Sequence, residues 1–305
     1  MRIVFQIVVI LCVLIGFGAA KLSYEDQLNK DMVENQLIQP SLKQGTNLQL
    51  GQTGAAVALG GLRSLVAAMW NLRAFIHFEK LDWIKLEESY GVITTLQPQT
   101  THYWDTGAWH LHTNASVHYN EDRNLSPLRR KALRKLYIDK GSALLEEGVR
   151  QNPENWKLHI SLARLWSDRF KLPDLQRAVT HYDNSLATQT MPGYKRKQYK
   201  RFRFYSLARI PARKKEALND GTELFLSTSD NHLPNLICCL FALQNAAELP
   251  EKIPIPDKDL FPDDKTQYTW LTNYWKNRHI SYPMDGVLDK RRELAIKLGI
   301  PTPDQ

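Results

Sequence analysis

Residues 88–119 read ESYGVITTLQPQTTHYWDTGAWHLHTNASVHY, with four histidines (His102, His110, His112, His118) set among tryptophans and small residues. Two readings compete: a metal or catalytic cluster, or a joint between two helices. Spacing separates them. Metal ligands on one helix sit three or four residues apart so that they share a face, as in HExxH. None of these histidines has that spacing. In a helix over 101–119, His112 lies about 200° round from His110, and His118 about 80° round. Trp104, Ala108, Leu111 and Ala115 fall instead on one stripe, the pattern of a core face. The histidines are expected to flank it as polar or half-buried groups. Pro98 closes the preceding helix, because its ring clashes with the turn before it and it lacks an N–H.

Working outward, the helical period extends over most of the chain. Leu62, Leu65, Val66, Met69, Leu72 and Ile76 recur at three- and four-residue steps, the apolar face of one helix. Leu81 and Asp82 make a short break. Ile84, Leu86, Tyr90, Ile93 and Leu96 then mark a second helix. Further helices are expected near 101–119, 127–151, 155–169, 174–187, 194–208, 211–228, 232–247, 266–278 and 284–298. No stretch alternates with the period of two that a half-buried strand requires. The four prolines Pro250, Pro254, Pro256 and Pro262 predict a rigid extended connector before a C-terminal helical pair.

A weak internal repeat underlies this pattern. Pro98 and Pro153 each close a helix, and Ala108 and Ala163 stand ten residues beyond them. Small residues at such positions let two helices approach closely while aromatics fill the flanks. Residues 67–98 resemble a tetratricopeptide repeat: Trp70, Ala74, Tyr90, Leu96 and Pro98 occupy its large, small, aromatic, apolar and proline positions. Arg73 departs from its first-helix Leu, and Leu86 from its second-helix Ala. LGGLRSLVAAMWNLRA, ITTLQP, WDTGAWHLHTNASV and LLEEGVRQNP together resemble membrane-anchored, tetratricopeptide-like bacterial proteins of the planctomycete and verrucomicrobia type, over about residues 59–190. That resemblance implies an α-solenoid on a membrane anchor, and implies no reaction.

The first twenty residues bear on location. Arg2 precedes Ile3–Ala20, eighteen residues without a charge. A signal-peptide core is usually about 7–15 residues and a spanning helix about 20. An uncleaved anchor is expected, with the bulk of the chain outside the cytoplasm, because the positive charge lies before the span. Cleavage near Ala20, which would release the chain to the periplasm, stays open. Residues 21–54 read as a polar lead-in.

Chemistry is sparse. Cys238 and Cys239 are adjacent and read as two buried thiols, because a vicinal disulfide is strained. With no CxxC, GxSxG, HExxH or phosphate-loop pattern, no catalytic, cofactor or metal residues are assigned. The strongest local anomaly is charge. Residues 194–215 (YKRKQYKRFRFYSLARIPARKK) carry ten Lys and Arg and no acid. Residues 125–140 add +5. Against a whole-chain +8, the remainder is net −7, so the basic character is local. Lys195, Arg196, Lys197, Lys200, Arg201 and Arg203 are the candidate contacts to an anionic surface. A solvated outer face with snorkelling bases explains the same run. Nucleic acid is disfavoured by the expected export.

The resulting expectation is all-α: an α-solenoid of tetratricopeptide-like hairpins over 55–248, behind an anchor or signal at 1–20, with a connector at 249–265 and a helical pair at 266–305. Its function is expected to be non-enzymatic, a scaffold binding a protein partner in a bacterial envelope assembly, with no cofactor and no small-molecule substrate. Two alternatives stand: a binder of anionic lipid or polymer through 194–215, and an enzyme with an unrecognised site between hairpins.

Overall fold

The computed structural model describes residues 62–246 and 255–301, together with Gln27 and Asp31. The expected anchor and most of the lead-in lie outside the described residues. Regular structure among the described residues is entirely helical. No described helix is long and apolar enough to cross a membrane. The chain divides into two compact units, residues 1–103 and 104–305.

In the first unit α1 (Arg63–Glu79) and α2 (Trp83–Leu96) form an antiparallel hairpin. The turn uses Leu81 in the left-handed region, at φ 55°. Asp82 then caps α2 by accepting a hydrogen bond from Lys85 N at 3.2 Å. α2 buries Trp83, Leu86, Tyr90, Ile93 and Leu96, while Ile84 is 61% exposed. The period placed Ile84 in the core, and Trp83 holds that position instead, its ring edge-on to Phe78. α1 differs more. It buries Val66, Ala67 and Ala74, whereas Leu62, Leu65, Met69, Leu72 and Ile76 stay about half exposed or more. The expected core stripe is thus mostly a second face, one that no described residue buries.

In the second unit most helices pack on a neighbour in sequence. α3 (Thr101–Trp109) runs through a π-helical turn (His110–Ala115) into α4 (Ser116–Glu121). α5 (Pro127–Gln151) follows, started by Ser126 as N-cap and Pro127 in the first turn. α5 lies so close to the π turn that a Cβ on Gly141 would sit 2.6 Å from His112 Cβ and 2.8 Å from Ala108 O. Gly148 likewise admits the Trp104 side chain. α6 (Trp156–Ser167) and α7 (Leu175–Ala187) start on Asn155 and Asp174, whose side chains accept from backbone N–H groups of the first turn. Trp104, Ala108, Ile138, Leu145, Leu158 and Leu162 share one core. The stripe read from 101–119 is therefore buried as expected.

α8 (Gly193–Leu207), α9 (Lys214–Ser227), α10 (Pro234–Gln244), α12 (Asp264–Arg278) and α13 (Val287–Leu298) surround a larger core built on Phe204, Leu207, Leu236, Leu240 and Leu271. Cys238 and Cys239 are unpaired and buried within it. The proline-rich stretch includes a one-turn helix, α11 (Asp257–Leu260), whose Leu260 and the following Phe261 join that core.

Candidate binding cavity

The π turn shapes the site. Its hydrogen bonds reach one residue further than those of an α-helix, so each residue turns by less than 100°. Neighbours then share a face: Leu111 and His112 are both buried, as are Ala115 and Ser116. His112 was expected beside the core stripe, and the π turn carries it inside. His110 stays half-buried with its Nδ1 3.0 Å from Asn114 Nδ2, and His102 is exposed. The four histidines do not converge. Among the described residues no three metal-ligating side chains gather.

His112 opens onto a cavity of about 770 Å³ within the second unit. α3 and the π turn supply Asp105, Trp109, His112 and Thr113. α6 and the loop after it supply Ser161, Arg164, Asp168 and Lys171. α8 and the residues beyond it supply Phe202, Tyr205 and Arg209. Arg278 of α12 and Tyr282 close the far side. Helices distant in sequence thus contribute to one concavity.

Its electrostatics are one-sided. Lys171 Nζ lies 2.7 Å from His112 Nδ1 and donates to Thr113 Oγ1 at 2.9 Å. Burial, then the Lys171 charge, pushes His112 down to about 3, so its ring is neutral and Nδ1 accepts from the ammonium. Burial lowers Lys171 itself to about 8. Arg209 donates to Ser167 O at 2.9 Å, and its Nε is buried without a partner. The guanidinium carbons of Arg209 and Arg278 lie 5.4 and 5.3 Å from the Tyr282 ring centroid. Two carboxylates line the cavity: Asp105 accepts from Ser161 Oγ, and Asp168 accepts from Phe170 N while its charge offsets part of that of Lys171 and Arg209. Among the described residues Arg164, Lys171, Arg209 and Arg278 form no ion pair with a carboxylate. Four cations against two carboxylates leave the cavity net positive, which suits an anionic ligand.

The sequence-assigned contacts lie elsewhere, on α8. Arg196 donates to Leu186 O and Thr188 O, and so clips the end of α7. Arg201 donates to Asn231 Oδ1 at 2.8 Å. Arg203 meets Asp183, Glu216 and Asp220 together. These three bases hold helices to one another. Lys195 sits over Tyr194, Lys197 is 3.5 Å from Asp230, and Lys200 is exposed. Of the whole basic run, Arg209 reaches the cavity. Sequence reasoning missed Arg164, Lys171 and Arg278 as site residues, and only the surplus of charge in 194–215 hinted at an anion.

No protein-family model and no curated protein matches the chain.

Proposed function

We propose that the chain is a membrane-anchored, non-enzymatic scaffold, built as an α-solenoid of tetratricopeptide-like hairpins, which holds an acidic, extended segment of a partner protein in the cavity between Lys171 and Arg278. One observation carries this reading: four cations and two carboxylates line one concavity, and among the described residues none of the four cations is in an ion pair. A concavity with a surplus of positive charge gains from an anionic occupant that balances it. The solenoid part is supported by helices that pack largely on their sequence neighbours and by small residues at the crossings, Gly141 against Ala108 and Gly148 against Trp104. Burial of Ala74, Tyr90 and Leu96 agrees with the resemblance to the repeat. An envelope assembly of planctomycete or verrucomicrobia type is the setting that the resemblance implies. Anion binding thereby moves from the surface of 194–215 to the cavity.

The test is titration of the full chain with fluorescent glutamate-rich peptides, alongside a lysine-rich control. Binding of the acidic peptide, weakened at least tenfold by Arg164→Ala with Arg278→Ala and by raised salt, is expected. Equal binding of both peptides, or acidic-peptide binding untouched by the two substitutions, would refute the assignment of the cavity.

A further inference from the structure

α1 has two apolar faces, and the hairpin uses one. Val66, Ala67 and Ala74 are buried, while Leu62 (50%), Leu65 (53%), Met69 (58%), Leu72 (67%) and Ile76 (46%) are exposed. The exposed five recur at intervals of 3, 4, 3 and 4 residues. At 100° per residue they occupy a stripe roughly 80° wide, the narrow seam of a coiled coil rather than the broad apolar face of a helix lying in a lipid surface. In heptad terms Leu62, Met69 and Ile76 take position a, and Leu65 and Leu72 take position d. No charge interrupts these five. Arg73, at the flank, lies with its guanidinium 4.7 Å from the Trp70 ring centroid.

We propose that this seam pairs with the same seam of a second copy of the chain, the two α1 helices running parallel. Three observations favour a second copy over other occupants. The first is the register itself: Leu65 and Leu72 at d with Met69 and Ile76 at a suit a parallel two-stranded pair, in which a meets a and d meets d, and the seam ends before Glu79, the next d position. The second is area. The five side chains, each exposed by about half or more, amount to on the order of 500 Å² of apolar surface, towards the upper end of what a monomer shows. Two copies face to face bury on the order of 1,000 Å², the threshold of a specific interface. The third is preorganisation. An isolated helix of 17 residues is marginal in water, but α2 already holds α1, so pairing does not have to fold it. A two-fold pair also closes on itself and leaves no seam to propagate. This inference stands apart from the cavity, so failure of either leaves the other intact.

The experiment uses the full chain with Cys12→Ser, in mild detergent. Sedimentation velocity should give a dimer at micromolar concentration, and Leu65→Glu with Leu72→Glu should weaken it at least a hundredfold while the far-ultraviolet dichroism is unchanged. Position is then read by crosslinking. Met69→Cys should form a disulfide-linked dimer on mild oxidation. Ser64→Cys, exposed on α1 but about 120° round from the centre of the seam, should not. A monomer at all concentrations overturns the proposal. So does equal crosslinking at the two positions, or a Met69→Cys thiol already shielded from alkylation in the monomer, which would mean that the chain's own N-terminal residues cover the face.

Discussion

Gly141 stands where α5 meets the π turn, and it is the position at which one methyl group should do most damage. A Cβ there would lie 2.6 Å from His112 Cβ, 2.8 Å from Ala108 O and 2.8 Å from His112 N. Carbon atoms in contact normally stand about 3.5–4.0 Å apart. None of the three opposing atoms can leave by rotating a side chain, so the helices must separate by roughly 1 Å. Overpacking of this kind costs about 1–3 kcal/mol, and rigid backbone neighbours place Gly141→Ala at the upper end. The better helix propensity of alanine returns about 1 kcal/mol. The net loss is about 2 kcal/mol, which for a unit of this size lowers Tm by roughly 4–8 °C. Gly148→Ala, opposed by Trp104 Cβ and Cγ at 2.9 Å, should lose less, because its contacts are longer than those at Gly141 and none is with a backbone atom. Gly193→Ala, with nothing within 4 Å, should lose nothing. Thermal and urea unfolding of the three variants, followed by dichroism, gives the ranking. Because His112 and Thr113 ride on the π turn, Gly141→Ala should also weaken binding of an acidic peptide. If Gly141→Ala proved as stable as Gly193→Ala, the close approach of α5 to the π turn would be wrong, and with it the geometry of the Lys171 end of the cavity.

Acid should destabilise the fold through His112. The unfolded side chain takes a proton near pH 6.5 and the folded one near pH 3, so the unfolded state binds protons first and stability falls across that window. At pH 5 the loss from this residue is about 2 kcal/mol relative to pH 8; His181, held near 4 by burial, His159 and Arg177, acts in the same direction. Urea midpoints at the two pH values should converge in His112→Asn, and an unchanged pH dependence would contradict the buried neutral ring. Arg203→Met removes the cation shared by Asp183, Glu216 and Asp220, and should cost about 1–3 kcal/mol at pH 7. That cost should shrink in acid as Asp220, whose carboxyl burial raises above the usual carboxylate range, takes up a proton; a pH-independent cost would point to lost packing instead. Leu81→Gly should stabilise the α1–α2 hairpin by up to about 1 kcal/mol, because φ 55° strains a side chain bearing Cβ. A loss of stability would show that the half-exposed Leu81 side chain contributes more by packing than the strain takes away.

The local order of this chain was readable because its signals are local. The helices expected near 127–151, 155–169 and 174–187 begin at Pro127, Trp156 and Leu175, each behind a side chain that caps the first turn, Ser126, Asn155 and Asp174. The stripe Trp104, Ala108, Leu111, Ala115 was readable because those positions stay buried through the π turn. His112 was not, because a fixed 100° step cannot represent a turn that winds more slowly. α1 shows a second limit. Periodicity says which residues share a face and says nothing of what covers it, so Leu65 and Leu72 read as core although the hairpin closes on Val66 and Ala74. The cavity is a third kind of case. Lys171 sits in a loop and Arg278 near the end of a helix more than a hundred residues later. No run of sequence joins them, whereas the eye-catching bases of α8 turned out to include three that hold α7, α9 and the Asn231 turn in place.

The adjacent thiols of α10 have a practical consequence. Cys238 and Cys239 are sealed among Leu240, Phe204 and Tyr274, and burial pushes both above the ordinary thiol range, that of Cys239 to about 12. In that state neither offers a thiolate to an alkylating reagent or an oxidant at neutral pH. Labelling at these two sulfurs therefore waits for the core of the second unit to open. Their modification, followed by mass, acts as a clock for that opening, internal to the chain and requiring no engineered probe.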